Sequence, residues 1–185
     1  MNANNNNRPS WEHDEFIHGY FVIPGRLLAT EYPGAKEKDK AKRKLRVLLD
    51  AGVSSFVDLT EPGEPTWDGS PMQPYDGLLD VGVNYERFAI PDTGTIADDE
   101  YDKILAHIRA ELDDGRLVLV HCWGGKGRTG TVVGAWLIDE LGLGYPEVID
   151  HMQELRAGSK KAHHPVPDTE EQHQVLRRRA QRREA

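Results

Sequence analysis

Between Tyr20 and Leu141 the chain alternates short β-rich runs with stretches of helical periodicity, and this alternation limits the fold more than any other feature. Tyr20–Leu28 reads as a strand, a turn at Pro24 and Gly25, and a second strand. Lys36–Asp50 is charged and then apolar at Leu45, Leu48 and Leu49, a helix that Gly52 ends. Ser54–Thr60 follows at once as a core strand, and Tyr85–Ile90 is another, closed by Pro91 and Asp92. From Asp98 to Asp114 the residues Tyr101, Ile104, Leu105 and Ile108 recur at helical spacing, and Gly115 stops the run. Leu117–Val120 is short and wholly apolar, as a strand buried on both faces requires. A second apolar helix, Thr131–Leu141, comes next. Then follow a helix from Pro146 to about Arg156 and a last one capped by Asp168 or Thr169. Strands alternating with helices predict an α/β class with a central, largely parallel sheet flanked by helices. Residues 61–82, with four Pro, three Asp and several Gly, read as a long loop or insertion.

The 185 residues suit a single domain, expected over 11–185 behind an Asn-rich tail at 1–10. A domain of this size hides roughly 70% of its unfolded surface and needs no disulfide or structural metal. The lone Cys122 allows no internal disulfide. Lys and Arg number 23 against 31 Asp and Glu, a formal charge of −8. That charge makes the surface a poor general binder of nucleic acid or anionic membrane. No apolar stretch approaches the ~20 residues of a membrane span, and the start lacks a signal-peptide core, so a cytoplasmic location without membrane insertion is expected. Residues 151–185 depart from the acidic trend, with eight basic against five acidic residues. Their run Arg177, Arg178, Arg179, Arg182 and Arg183 is read first as a solvated helix end favoured by the macrodipole, second as a site for an anionic partner.

The unusual residue choices concentrate in His121-Cys122-Trp123-Gly124-Gly125-Lys126-Gly127-Arg128-Thr129-Gly130, between a buried strand and a helix. Glycines in such a turn let successive backbone N–H groups point inward as an anion nest, and the helix N-terminus adds its own. Arg128 supplies a planar fork that meets two phosphate oxygens at once. A thiol at Cys122, among those donors, is favoured as the thiolate and can attack the phosphorus of a bound phosphate. Composition alone gives this string a chance on the order of one in a million.

These residues fit the pattern H-C-x-x-G-x-x-R-[S/T]-G, and the chain resembles the cysteine-dependent protein tyrosine phosphatase superfamily, in its smaller, dual-specificity-like branch. The resemblance implies that Cys122 forms a phosphocysteine and that Arg128 binds phosphate and stabilises the transition state. It implies that the Thr129 hydroxyl eases departure of the thiolate, and that His121 supports the thiolate from outside the pocket. The resemblance also places Trp123, Gly124, Gly125, Lys126 and Gly127 in the phosphate-binding loop, with Trp123 either lining its mouth or packing beneath it, and Lys126 either facing substrate or only lowering the thiol pKa or pointing outward. Chemistry also needs a proton donor on a movable loop. Asp92 is the candidate, following a strand and Pro91, preceding Thr93-Gly94-Thr95, and standing 30 residues before Cys122 like the family's general acid. Larger members carry Trp where Ile90 stands. Asp98 and Asp99 are rivals, but they sit where a helix N-terminus wants negative charge. Gln172 matches the second glutamine of a water-positioning loop in larger members, with Asp168 replacing the first; a helix cap with a surface Gln is the plain alternative.

The implied activity is hydrolysis of phosphate monoesters without metal or cofactor, with phosphotyrosine protein, alone or with phosphoserine and phosphothreonine, as first substrate class. Lys126 keeps a phosphoinositide or inositol phosphate in view as the alternative. A phosphate-binding module without turnover is a third reading, which no residue favours. A nucleotide P-loop is set aside because Lys126 precedes Gly127 rather than Ser or Thr. A zinc site at His163, His164, Asp168 and His173 is set aside for want of an H-E-x-x-H or paired cysteines.

Overall fold

A computed structural model describes residues 10–184; apart from Ser10, the expected Asn-rich tail lies outside them. Five strands form one sheet in the order β1-β2-β5-β3-β4: β1 (Gly19–Ile23), β2 (Leu27–Thr30), β3 (Val53–Asp58), β4 (Asn84–Arg87) and β5 (Leu117–His121). Only β1 and β2 pair antiparallel, through the Pro24-Gly25 turn; every other pairing is parallel. Strand β5, apolar up to His121 at its end, lies at the centre, where both neighbours and both faces shield it from water.

Alternation along the strands divides the interior. Leu28, Phe56 and Leu119 face one layer, packed with Leu45 and Leu48 of α1 (Lys38–Asp50). Leu27, Ala29, Val57, Val118 and Val120 face the other. That layer is built by α2 (Asp98–Asp113), α3 (Gly127–Leu141), α4 (Tyr145–Arg156) and α5 (Glu170–Glu184). The helix α3 is apolar nearly all round because it packs against α2, α4 and α5 as well as the sheet.

Two expectations change. Helix α3 begins at Gly127, four residues before the expected Thr131, so Arg128, Thr129 and Gly130 occupy its first turn. Glycines here permit close packing rather than break the helix: a Cβ at Gly130 would stand 3.2 Å from Val166. The Arg-rich run is not simply a solvated end either. Arg179 is buried, bridging Asp102 and Asp139 at 2.7 Å each, while Arg178 and Arg182 reach Asp98 at 3.4 Å. The anionic partners of this run include the chain's own α2 and α3, which these bridges clasp to α5.

Candidate active site

At the carboxyl end of β5 the chain leaves the sheet and turns into α3, where ligand sites of parallel sheets gather. Cys122 opens this turn and is 3% exposed, shielded but not sealed. Gly125 has φ +70°, and a Cβ there would stand 2.7 Å from the Thr30 carbonyl oxygen, so glycine alone lets the loop lie on β2. Among the described residues, none of the backbone N–H groups from Trp123 to Thr129 donates to a protein acceptor; the first that does is Gly130, to Lys126 at 2.7 Å. Successive unpaired amides and the positive end of α3 therefore converge beside the thiol, an arrangement suited to a dianion.

Arg128 is 2% exposed, and its fork is fixed from the rear. Its Nη1 and Nη2 donate to Glu64 Oε2 and Oε1 at 2.6 and 2.7 Å, Nη1 also to the Ile90 carbonyl at 3.1 Å, and Nη2 to Asp92 Oδ1 at 2.9 Å. Burial opposes the charge, but Glu64, Cys122 and Asp92 together hold the guanidinium above the ordinary arginine value. Glu64 was not expected from the sequence. It lies in the supposed insertion, which folds inward: Thr66 donates to Ser70 and Met72 to Glu64 through the backbone.

His121, at the end of β5, is fully buried. Its Nδ1 lies 3.1 Å from the Cys122 carbonyl oxygen, which can only accept, so Nδ1 carries the proton and Nε2 accepts from the Tyr75 hydroxyl at 2.5 Å. Burial pushes the imidazole below its ordinary value, with Asp58 opposing. Asp58 is itself held low: desolvation works against it, but His121, Thr60 and Tyr85 prevail. Tyr75 and Asp58 thus form a polar layer beneath the loop that sequence spacing did not signal.

Asp92 is exposed on its turn, beside the Arg128 fork. Thr93 has φ 60°, a left-handed conformation costly for a β-branched residue. The turn is held from α5: the Thr169 hydroxyl donates to the Thr93 carbonyl at 3.2 Å and Gln172 Nε2 to the Gly94 carbonyl at 3.2 Å. Gln172 is fully buried rather than a surface Gln, and its Oε1 accepts from the Asp168 and Thr169 amides at 3.1 Å each. A Cβ on Gly127 would stand 3.0 Å from its amide, so Gln172 touches the loop. Thr169, not Asp168, caps α5, its Oγ1 3.3 Å from the Gln172 amide. Asp168 instead lies 3.4 Å from Lys126 Nζ.

Thr129 is fully buried, and among the described residues its hydroxyl has no hydrogen-bond partner. Trp123 stands at the mouth, 38% exposed, tilted against Tyr32 at 5.9 Å. The rivals Asp98 and Asp99 lie apart from the loop, paired with α5 arginines and with Lys103.

Residues 19–184 match a family described as the Swiss Army Knife protein DSP-PTPase phosphatase domain. The chain is 32% identical over 120 residues to the tyrosine-protein phosphatase CDC14 homolog of Schizosaccharomyces pombe, covering 64% of this chain and 21% of that protein. It is 25% identical over 136 residues to protein tyrosine phosphatase domain-containing protein 1 of Mus musculus, covering 69% of this chain and 18% of that one. The match therefore spans about a fifth of these relatives' length. Among solved structures, the active form of Tk-PTP aligns with TM-score 0.65 and 28% identity, over 89% of this chain and 97% of that one. PTPMT1 in complex with PI(5)P aligns with TM-score 0.67 at 21% identity, over 89% and 96%, a likeness of fold. No helix among the described residues is long and apolar enough to cross a membrane.

Proposed function

The chain belongs to the DSP-PTPase phosphatase family, and from that premise we propose that it hydrolyses phosphate monoesters through a phosphocysteine, acting first on phosphotyrosine-bearing protein. One observation carries the reading: a lone thiol, a ring of unpaired amides and a guanidinium shared with an exposed carboxylate meet at one loop. In the first step the Cys122 thiolate attacks phosphorus, the P–O bond to the leaving group breaks, and Asp92 protonates the departing oxygen. Arg128 and the amides hold the three equatorial oxygens. In the second step water attacks phosphorus, its proton passes to the Asp92 carboxylate, and the S–P bond breaks to release phosphate and thiolate. Gln172, buried against Gly127 and bonded to the Asp92 turn, is suited to orient that water. Thr129, with its unpartnered hydroxyl, is suited to receive the thiolate.

Lys126 bears on substrate class. A phosphoinositide reading, prompted by PTPMT1 and its PI(5)P, would use this ammonium toward a second phosphate. Its nearest carboxylate is Asp168 on the α5 side, which favours the protein substrate. The test is hydrolysis of p-nitrophenyl phosphate in EDTA. Wild type should turn over, Cys122→Ser should not while still binding phosphopeptide, and Asp92→Ala should lose roughly 10²-fold in kcat with poor leaving groups. A wild type that binds phosphopeptide without turnover would replace this reading with a binding module.

A further inference from the structure

Against the outer wall of the Cys122 loop lies a concavity of about 380 Å³, to which the loop contributes Trp123 and Gly124. Its walls are two exposed tryptophans and four lysines: Trp67, 90% exposed, and Trp123, with Lys36, Lys40, Lys44 and Lys161. Two glutamates, Glu31 and Glu37, also line it, leaving basic charge in excess. Lys44 and Lys161 share the single carboxylate of Glu31, at 3.1 and 2.7 Å, and Lys36 reaches Asp68. Lys40 has no carboxylate partner among the described residues. Desolvation holds the Lys44 ammonium below its ordinary value; Glu31 opposes this, and the like charges of Lys40 and Lys161 add to it.

The charge is placed against the needs of the helix that carries it. Residues 36–46 hold seven basic and two acidic side chains in a chain of net charge −8. They crowd the start of α1, where the macrodipole disfavours cations, while the last turn holds no basic residue at all. Helix stability does not account for this arrangement, and three residues of the run, Lys36, Lys40 and Lys44, line the concavity beside the loop. Large exposed apolar side chains beside it are a further cost to a soluble surface.

We infer that this cleft is a substrate subsite that receives an acidic peptide segment flanking the phosphorylated residue, with carboxylates on the lysines and aliphatic or aromatic surface on Trp67 and Trp123. The inference rests on the phosphomonoesterase reading above and deepens it. A concave site beside the loop suits a peptide side chain better than a flat bilayer, and a mostly acidic molecule needs a local positive field to admit an acidic partner.

The experiment compares two phosphotyrosyl peptides of equal length, one with Asp and Glu on both sides of the phosphoresidue, one with Ala and Ser there. Wild type at low salt should favour the acidic peptide by about tenfold in kcat/KM, and the ratio should shrink as salt rises. The double variant Lys36→Glu, Lys40→Glu should bring the ratio near one; taking a ratio cancels any change in the common chemical step. Should that variant fail to fold by circular dichroism, Lys40→Ala and the wild-type salt series carry the same test. Wild-type hydrolysis of p-nitrophenyl phosphate with equal rates on both peptides overturns the subsite alone. No hydrolysis of either peptide or p-nitrophenyl phosphate overturns the phosphatase reading and the subsite with it. A peptide ratio indifferent to Lys36→Glu, Lys40→Glu, with a variant-sensitive rate on phosphoinositide in phosphatidylserine vesicles, overturns it in favour of a lipid surface.

Discussion

Glu64 shows how much a single carboxylate can organise. It is 6% exposed and meets both terminal nitrogens of Arg128, so neither charge is solvated and each is the other's compensation. Removing Glu64 leaves this buried guanidinium with only the exposed Asp92 carboxylate as a charged partner, a loss of up to about 3 kcal/mol. Glu64→Ala should therefore lower the urea midpoint by a corresponding amount and cut kcat/KM on p-nitrophenyl phosphate, since the fork loses its rear brace. Unchanged denaturation together with unchanged kinetics would contradict this. Cys122 and Arg128 were legible because one turn carries both and its spacing is local. Glu64 was not: it stands among prolines and glycines that signal only a loop, and its partner is 64 residues away. Asp58 and Tyr75 escaped notice for the same reason, since only the finished sheet sets them beneath His121.

Among the elements, α5 does more than cover α3. Its first turn reaches across to the Asp92 turn through Thr169 and Gln172 while touching the turn between β5 and α3 at Gly127. Gln172→Ala would remove the acceptor of the Asp168 and Thr169 amides and release Gly94, a cost of about 1 kcal/mol by the usual net worth of a hydrogen bond. The measurement is thermal denaturation beside kcat: both should fall, and a fully active, fully stable variant would show that the contact is incidental. The strand and helix pattern was readable nearly throughout, because period-two and period-3.6 runs are local properties of the chain. The start of α3 was not, because Gly127 and Gly130 carry the composition of a turn. Their helical conformation is imposed by α5 and Val166 packing where side chains would otherwise stand.

The molecule as a whole should be sensitive to mild acid. His121 and His18 are both buried, and desolvation lowers each below its ordinary 6.5, against the pull of Asp58 and Asp14. Unfolding restores the ordinary value, so below about pH 6.5 the unfolded chain takes up protons that the folded chain refuses, and stability falls. Asp58 has the depressed value of a stabilised carboxylate, so its contribution is intact above about pH 4 and is lost on further acidification. Urea midpoints should decline from pH 7.5 to pH 5.5, and a flat profile would contradict the burial of these rings. The clasp of Glu64 on Arg128 has a consequence for the nascent chain. The thiol turn is written in ten consecutive residues, yet its guanidinium is aimed only after the β3–β4 connector has docked against α3. A chain in which that connector has not docked would own a sulfur with no aligned fork, so the finished turn is a certificate that distant segments have met.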